Sequence, residues 1–277
     1  MKFKLWSKHL RIEKEYLKAL EVLCDIFDEI AKKSGSYQAK YREKMLNFQN
    51  SSAFEKYINA IVRRMVTPIS VENMRTWRMA SKKSTLGMLI YKLLNAEIKQ
   101  KNDYIFEEQI KENVSLIRTL PTDVADKVVR DIVDEAIKGK RARTIEKIIR
   151  EQTSKHARAS ARLIARTEVS KTTTAITKAR SEALDLRWYV WRTALDGDRV
   201  RKSHQNMEDV LVPWSNPPSP EKLVGEKDVG NYHAGNIWNC RCYPEPLLDI
   251  DDVKWPHKVY YQERIQRMSK AQFEQLM

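Results

Sequence analysis

The sequence predicts an α+β protein that is mainly α: an N-terminal helical region, then a long helix packed on a small antiparallel sheet. Three observations predict it. Only 7 glycines occur in 277 residues, so the stretches between chain-breaking positions are long, which favours helices over a sandwich or barrel. Apolar residues recur at three-, four- and seven-residue intervals through most of the first 184 residues. At Arg187 the chain changes to a short run dense in aromatic and β-branched residues, which suits strands. An apolar content of 42% is enough for a packed core.

The helices follow in order. Leu10, Leu17, Leu20, Leu23, Phe27 and Ile30 share one face, and Lys32 and Lys33 precede Gly35 where a helix should stop. A second short helix covers Tyr37 to Phe48. Ser52 to Glu55 has the spacing of a capping box, and Phe54, Tyr57, Ile58, Ile61, Val62 and Met65 carry the stripe to Pro68, where the helix is expected to end. Ser84 caps a helix bearing Leu86, Leu89, Ile90, Leu93 and Leu94, and a further helix runs from about Tyr104 to Ile117. Thr122 caps the next, with Val124, Val128, Ile132 and Ala136 inward and Lys138 and Gly139 at its end. Beyond a basic connector, a short helix bears Ile145, Ile148 and Ile149. A long one then spans about Ser154 to Leu184, with an inner face of small residues that includes Glu168.

Trp188 to Thr193 reads as a strand, Asp196 and Gly197 as a turn, and Val210 to Val212 as a second short strand. Tyr243 to Leu248 is a third, confined to a sheet edge by Pro244 and Pro246. The tail from Tyr260 to Met277 is polar and reads as helical. The domain division expected is 1–120, a basic helical region; 121–248, a compact domain; and 249–277, a polar tail.

Net charge is +14. The excess of cations is 9 over residues 1–120 and 5 over 121–185, while 186–277 is neutral. Such an excess attracts polyanions without reading sequence, and it equally suits an acidic protein partner. The cations placed to meet nucleic acid are Arg63, Arg64, Arg75, Arg78, Lys82, Lys83, Lys138, Lys140, Arg141 and Arg143; Trp77 among them either stacks on a base or packs in the core. No run of 18 uncharged apolar residues predicts a membrane span, and the first residues lack the form of a secretory signal. Three cysteines are too few for a disulfide framework, which suits reducing cytoplasm.

Three constellations carry chemistry. Glu168 sits on a face that should be buried, so a cation or strong hydrogen-bond donors should meet it; Arg166, Arg199 and Arg201 are the candidates. Asp196, Asp198, Arg201 and His204 lie on one turn, as an anion site or as a polar network that locks the loop. His204, His233, Cys240 and Cys242 make a Cys₂His₂ set that suits tetrahedral zinc, although C-x-C is tighter than usual and both cysteines fit equally well as small core residues. No Gly-rich phosphate loop, H-E-x-x-H or G-x-S-x-G occurs, so no catalytic residue is assigned and a non-enzymatic role is expected. The acidic stretch Asp249 to Asp252 reads as a two-metal nuclease site or as an ordinary acidic loop.

Four pieces occur in a telling order: Ala161-Arg-Leu-Ile-Ala-Arg166-Thr-Glu168, Trp191-Arg-Thr-Ala-Leu-Asp196, Asp198-Arg-Val-Arg201 with His204, and Asn239-Cys-Arg-Cys242. Over roughly 110–248 this resembles the phage Mu F-like, or head morphogenesis, family of minor capsid proteins. Two departures stand out: Met207-Glu208-Asp209 where the family often has a glycine, and Asn236 to Trp238 where it often has His-Pro. The resemblance implies a minor head protein of a tailed phage or prophage, at the portal vertex or head interior of the virion and in host cytoplasm during assembly. Its implied partners are the portal protein, other capsid or scaffold proteins, and packaged double-stranded DNA, with a role in head assembly, DNA packaging or DNA ejection. The alternatives are a zinc-dependent nuclease and a generic DNA-binding adaptor.

Overall fold

A computed structural model describes residues 6–82, 86–100, 104–136, 142–194 and 200–277. The helices are α1 Leu10–Ser34, α2 Gln38–Gln49, α3 Ser52–Ser81, α4 Gly87–Gln100, α5 Tyr104–Arg118, α6 Leu120–Ala136, α7 Ala142–Ala183, α8 Lys202–Asn206 and α9 Lys270–Glu274. The strands are β1 Trp188–Arg192, β2 Val210–Pro213, β3 Tyr243–Pro246, β4 His257–Tyr261 and β5 Arg264–Met268. The α+β, mainly α class is therefore as expected.

Two compact units interleave along the chain. One comprises Leu10–Thr67 and Glu107–Ala165; the other comprises Met1–His9, Pro68–Phe106 and Arg166–Met277. Helices α3 and α7 each contribute residues to both units.

The first unit is all helix. Ile12, Tyr16, Leu20, Leu23 and Phe27 bury the face of α1, while Leu10 is exposed. Phe48 packs against both Phe27 and Phe54. Tyr41 hydroxyl meets Thr153 Oγ1 at 2.8 Å inside this core, and Arg158 spans Asp25 and Asp28 at 2.9 and 3.1 Å. Ser51, one residue before the expected cap, accepts from the Phe54 amide at 3.2 Å. Helix α3 does not stop at Pro68 but continues to Ser81. A mid-helix proline costs on the order of 3 kcal/mol; here Met65, Val66, Ile69, Asn73 and Trp77 keep one face buried on both sides of it. The short and long helices expected over 145–184 are one helix, α7, since neither Gly nor Pro interrupts them.

The second unit holds the sheet, in order β3-β1-β2-β4-β5. β3 is an edge strand, as its two prolines require. The sheet is mixed rather than antiparallel, because β2 and β4 pair in parallel. Both faces are covered: Tyr189, Trp191, Val210 and Val212 face one cluster, and Trp188, Val190, Leu211 and Val259 the other. That is why Trp188 to Trp191 shows no polar alternation.

The tail is a correction to the helical reading. It supplies β4 and β5 and only one short helix, α9. Ser269 caps α9 through a reciprocal capping box with Gln272. The hairpin turns on Gln262 and Glu263, both at positive φ (50° and 58°). Such turns usually announce themselves with Asn or Gly, and neither is present.

Candidate functional site

The site is built on a row of hydroxyls along α7. Thr167, Ser170 and Thr174 lie at i, i+3 and i+7, so they share one helix face. Thr174 Oγ1 donates to the Ala234 carbonyl at 2.7 Å and Ser170 Oγ to the Cys240 carbonyl at 3.0 Å; Thr167 Oγ1 accepts from the Asn239 amide at 2.9 Å. The loop 231–242 is thereby pinned to the helix at three points. Gly235 makes the approach possible. Its φ is +86°, and a Cβ there would lie 2.6 Å from Thr174 Oγ1 and 2.9 Å from the Cys242 carbonyl. Asn239 turns the chain at φ 60° to present Cys240 and Cys242 inward.

Helix α8 brings His204 to the same place. All three side chains are buried. His204 Nδ1 lies 3.6 Å from Cys240 Sγ and 3.4 Å from Cys242 Sγ, and the three donor atoms lie within 4.8 Å of one another. A tetrahedral ion with metal–sulfur bonds near 2.3 Å and metal–nitrogen bonds near 2.1 Å has nitrogen–sulfur edges of about 3.6 Å. Both nitrogen–sulfur distances match those edges, so this His/Cys/Cys group could hold a metal ion.

The far side of the ring is fixed by a buried relay. His204 Nε2 is 2.9 Å from Tyr232 hydroxyl, and that hydroxyl is 2.8 Å from each oxygen of the buried Glu221 carboxylate. A carboxylate accepts only, so Tyr232 donates to Glu221 and its oxygen accepts from Nε2–H. That tautomer leaves the Nδ1 lone pair aimed at the two sulfurs, as metal-binding histidines are usually arranged. Ser203 Oγ adds a 3.2 Å contact to Glu221. A hydrogen bond from Cys242, helped by His204, holds Cys240 well below the ordinary thiol range; the neighbouring Cys240 sulfur and burial hold Cys242 well above it.

His233 does not join this group. Its Nδ1 lies 3.3 Å from Tyr189 hydroxyl, and its ring packs edge-on against Trp214 and Tyr189. Burial lowers it to about 4, keeping it neutral. Of the four residues grouped from the sequence, three lie together and His233 is an aromatic-core histidine.

His204, Cys240 and Cys242 line the wall of a cavity of about 370 Å³, together with Arg166, Arg201, Asn239 and Arg241. Arg166 Nη1 donates to Asn239 Oδ1 at 2.7 Å. Arg201 donates to the Trp238 carbonyl at 3.0 Å and lies over the Trp238 ring. Glu168 is buried, as its position demanded, and Lys171, one helical turn on, lies 3.6 Å from it. Asp196, Asp198 and Arg199 lie outside the described residues.

A second polar knot crosses the sheet. Arg192 on β1 bonds Glu245 on β3 and Asp209 before β2, the latter at 2.6 Å. Glu208 accepts from the Thr193 amide and hydroxyl.

The cations expected at nucleic acid fall in both units. Arg64 and Arg143 are exposed in the helical unit, and Arg75, Arg78 and Lys82 in the other. Arg63 is bound bidentately by Glu107 at 3.0 Å. Lys83, Lys138, Lys140 and Arg141 lie outside the described residues. Trp77 is fully buried against Trp6 and is a core residue. Asp249 caps a single 3-10 turn over Ile250–Asp252, with Asp251 paired to Lys270, so that acidic stretch behaves as a local cap.

Sequence reasoning missed Tyr232 and Glu221, which carry no pattern of their own. It also missed Arg180, buried and donating to Asn73 Oδ1 at 2.6 Å. The hydroxyl row was visible as Thr and Ser at helical spacing, though only the loop it binds gives it meaning.

A helix-backed mixed sheet with a buried His/Cys/Cys group beside it is the architecture of this unit. Residues 126–244 match the family described as Phage Mu protein F like protein, which bears out the resemblance read from the four sequence pieces. An uncharacterized protein of Haemophilus influenzae (strain ATCC 51907 / DSM 11121 / KW20 / Rd) is 30% identical over 160 residues, covering 57% of this chain. The chain spans 33% of that relative's length. No solved structure matches the chain. Among the described residues, no helix is long and apolar enough to cross a membrane.

Proposed function

We propose that this protein is a minor head protein of a tailed phage or prophage, which joins other head proteins during assembly and stays in the virion at the portal vertex or head interior. One observation carries the reading. The sequence pieces that resemble the head morphogenesis family converge: Arg166, His204, Asn239, Cys240 and Cys242 line one cavity, inside the stretch that matches the Mu F-like family. The protein acts as a structural component rather than an enzyme. A nuclease would need a general base beside any metal, and no carboxylate lines that cavity among the described residues.

The portal protein is the principal partner, and the exposed cations Arg64, Arg75, Arg78, Lys82 and Arg143 contact packaged double-stranded DNA through its phosphates. Zinc is the metal that two thiolates and one imidazole suit, and it fastens α8 to the loop entering β3.

Co-expression with the cognate portal protein tests the partner. A complex that survives gel filtration is expected, and separate elution at every salt concentration would refute it. DNA contact is tested by substitution rather than truncation, since removing 1–120 would take helices from both units. Replacing the five exposed cations with glutamine is expected to weaken duplex binding and flatten its salt slope by about 0.9 for each phosphate no longer neutralised; an unchanged slope would remove DNA from the reading.

A further inference from the structure

Resting on the reading of His204, Cys240 and Cys242 as a metal centre, we infer that its fourth position is open and takes an exogenous carboxylate. Closed structural zinc sites use four protein ligands, whereas sites with three keep an exchangeable position. Among the described residues, no fourth His, Cys, Asp or Glu joins the three, and His233, the candidate by composition, is engaged with Tyr189 and Trp214 instead. All three ligands lie on the wall of the 370 Å³ cavity, so an ion among them presents its free vertex to that space rather than to packed core.

Charge decides what fills the vertex. A divalent ion with two thiolates and a neutral imidazole has no net charge. Arg201 stands on the same wall, oriented by a carbonyl and an indole ring, neither of them an anion. The cavity therefore favours an anionic oxygen ligand at the metal with a guanidinium on its second oxygen, an arrangement that a planar carboxylate fills. The volume holds many times the roughly 30 Å³ of one water, enough for an acidic side chain or a small carboxylate.

The test uses the full chain loaded with cobalt(II) in place of zinc. The visible spectrum of a tetrahedral thiolate site is expected at one cobalt per chain. It should be lost in Cys240→Ser and Cys242→Ser and kept in His233→Ala. Titrating acetate should then shift that spectrum saturably, and Arg201→Met should weaken the acetate response at least tenfold while leaving the cobalt stoichiometry unchanged. An acetylated, amidated peptide with one internal glutamate binding tenfold tighter than acetate would identify the source as a partner's side chain; equal affinity would identify a small carboxylate. A cobalt spectrum that acetate does not move would overturn the open vertex and leave the metal centre standing. Inorganic phosphate binding more tightly than acetate would overturn the carboxylate. Absence of the tetrahedral spectrum from the wild-type chain would remove the metal centre and this inference together.

Discussion

The two units are stabilised by different chemistry. In the all-helical unit the core is aliphatic and aromatic, Leu20, Leu23, Phe27, Phe54 and Ile58, with ion pairs such as Arg63–Glu107 and Arg118–Glu55 on its surface. In the sheet-bearing unit the apolar clusters on the two sheet faces are joined by a polar, directional network: a hydroxyl row on α7, a Glu221–Tyr232–His204 relay, and two thiols. The first kind of core tolerates substitution in proportion to the volume removed. The second fails when one partner is removed, because a buried donor or acceptor is left unsatisfied.

That contrast orders the predictions by size. Gly235→Ala should have the largest effect, about 3–4 kcal/mol in urea denaturation, since it combines left-handed backbone strain with approaches of 2.6 and 2.9 Å to Thr174 and Cys242; a loss near 1 kcal/mol would show that the loop moves off α7 easily. Leu23→Ala should cost about 3 kcal/mol as an ordinary large-to-small core change, and an effect below about 1 kcal/mol would mean that the helical core readily collapses around the cavity. Tyr232→Phe adds no void but strands Glu221 and His204, so about 2 kcal/mol is expected. If it were neutral, the relay would contribute nothing to the difference between the units.

The pH dependence should come from the sheet-bearing unit. His233 is held neutral, at about 4 against an ordinary 6.5, by burial first and then by Lys178. The unfolded chain therefore binds a proton that the folded chain refuses. Stability from this group is complete above pH 6.5 and is lost as pH falls from 6.5 towards 4. Measuring stability across that window in wild type and His233→Asn should show a shallower fall in the variant, and parallel curves would contradict the assignment. The smallest effect should be Arg63→Ala, under about 1 kcal/mol, because its pair with Glu107 is half exposed.

The same contrast explains what the sequence disclosed. The helices were legible because burying an aliphatic face leaves a 3.6-residue period, visible in α1, α5 and α6. Pro68 misled because local propensity yields to packing on both sides of it. The hairpin of β4 and β5 was hidden because Gln262 and Glu263 take positive φ without the residues that advertise it. At the site, His204, Cys240 and Cys242 were legible from their chemical type. His233 has the same type but the wrong place, and composition alone cannot separate a ligand from a core histidine. Glu221 and Tyr232 act through the fold: 28 residues separate Tyr232 from the histidine it orients, and neither belongs to a periodic pattern.

The proposed place of this protein in a phage head is tested by quantitative mass spectrometry of purified, DNA-filled heads from cells producing the phage or induced prophage that encodes this chain. The protein is expected in those heads at a low, fixed ratio to the portal, and absent from heads made with a Gly235→Ala chain. Heads of normal yield and infectivity that lack the protein altogether would contradict it.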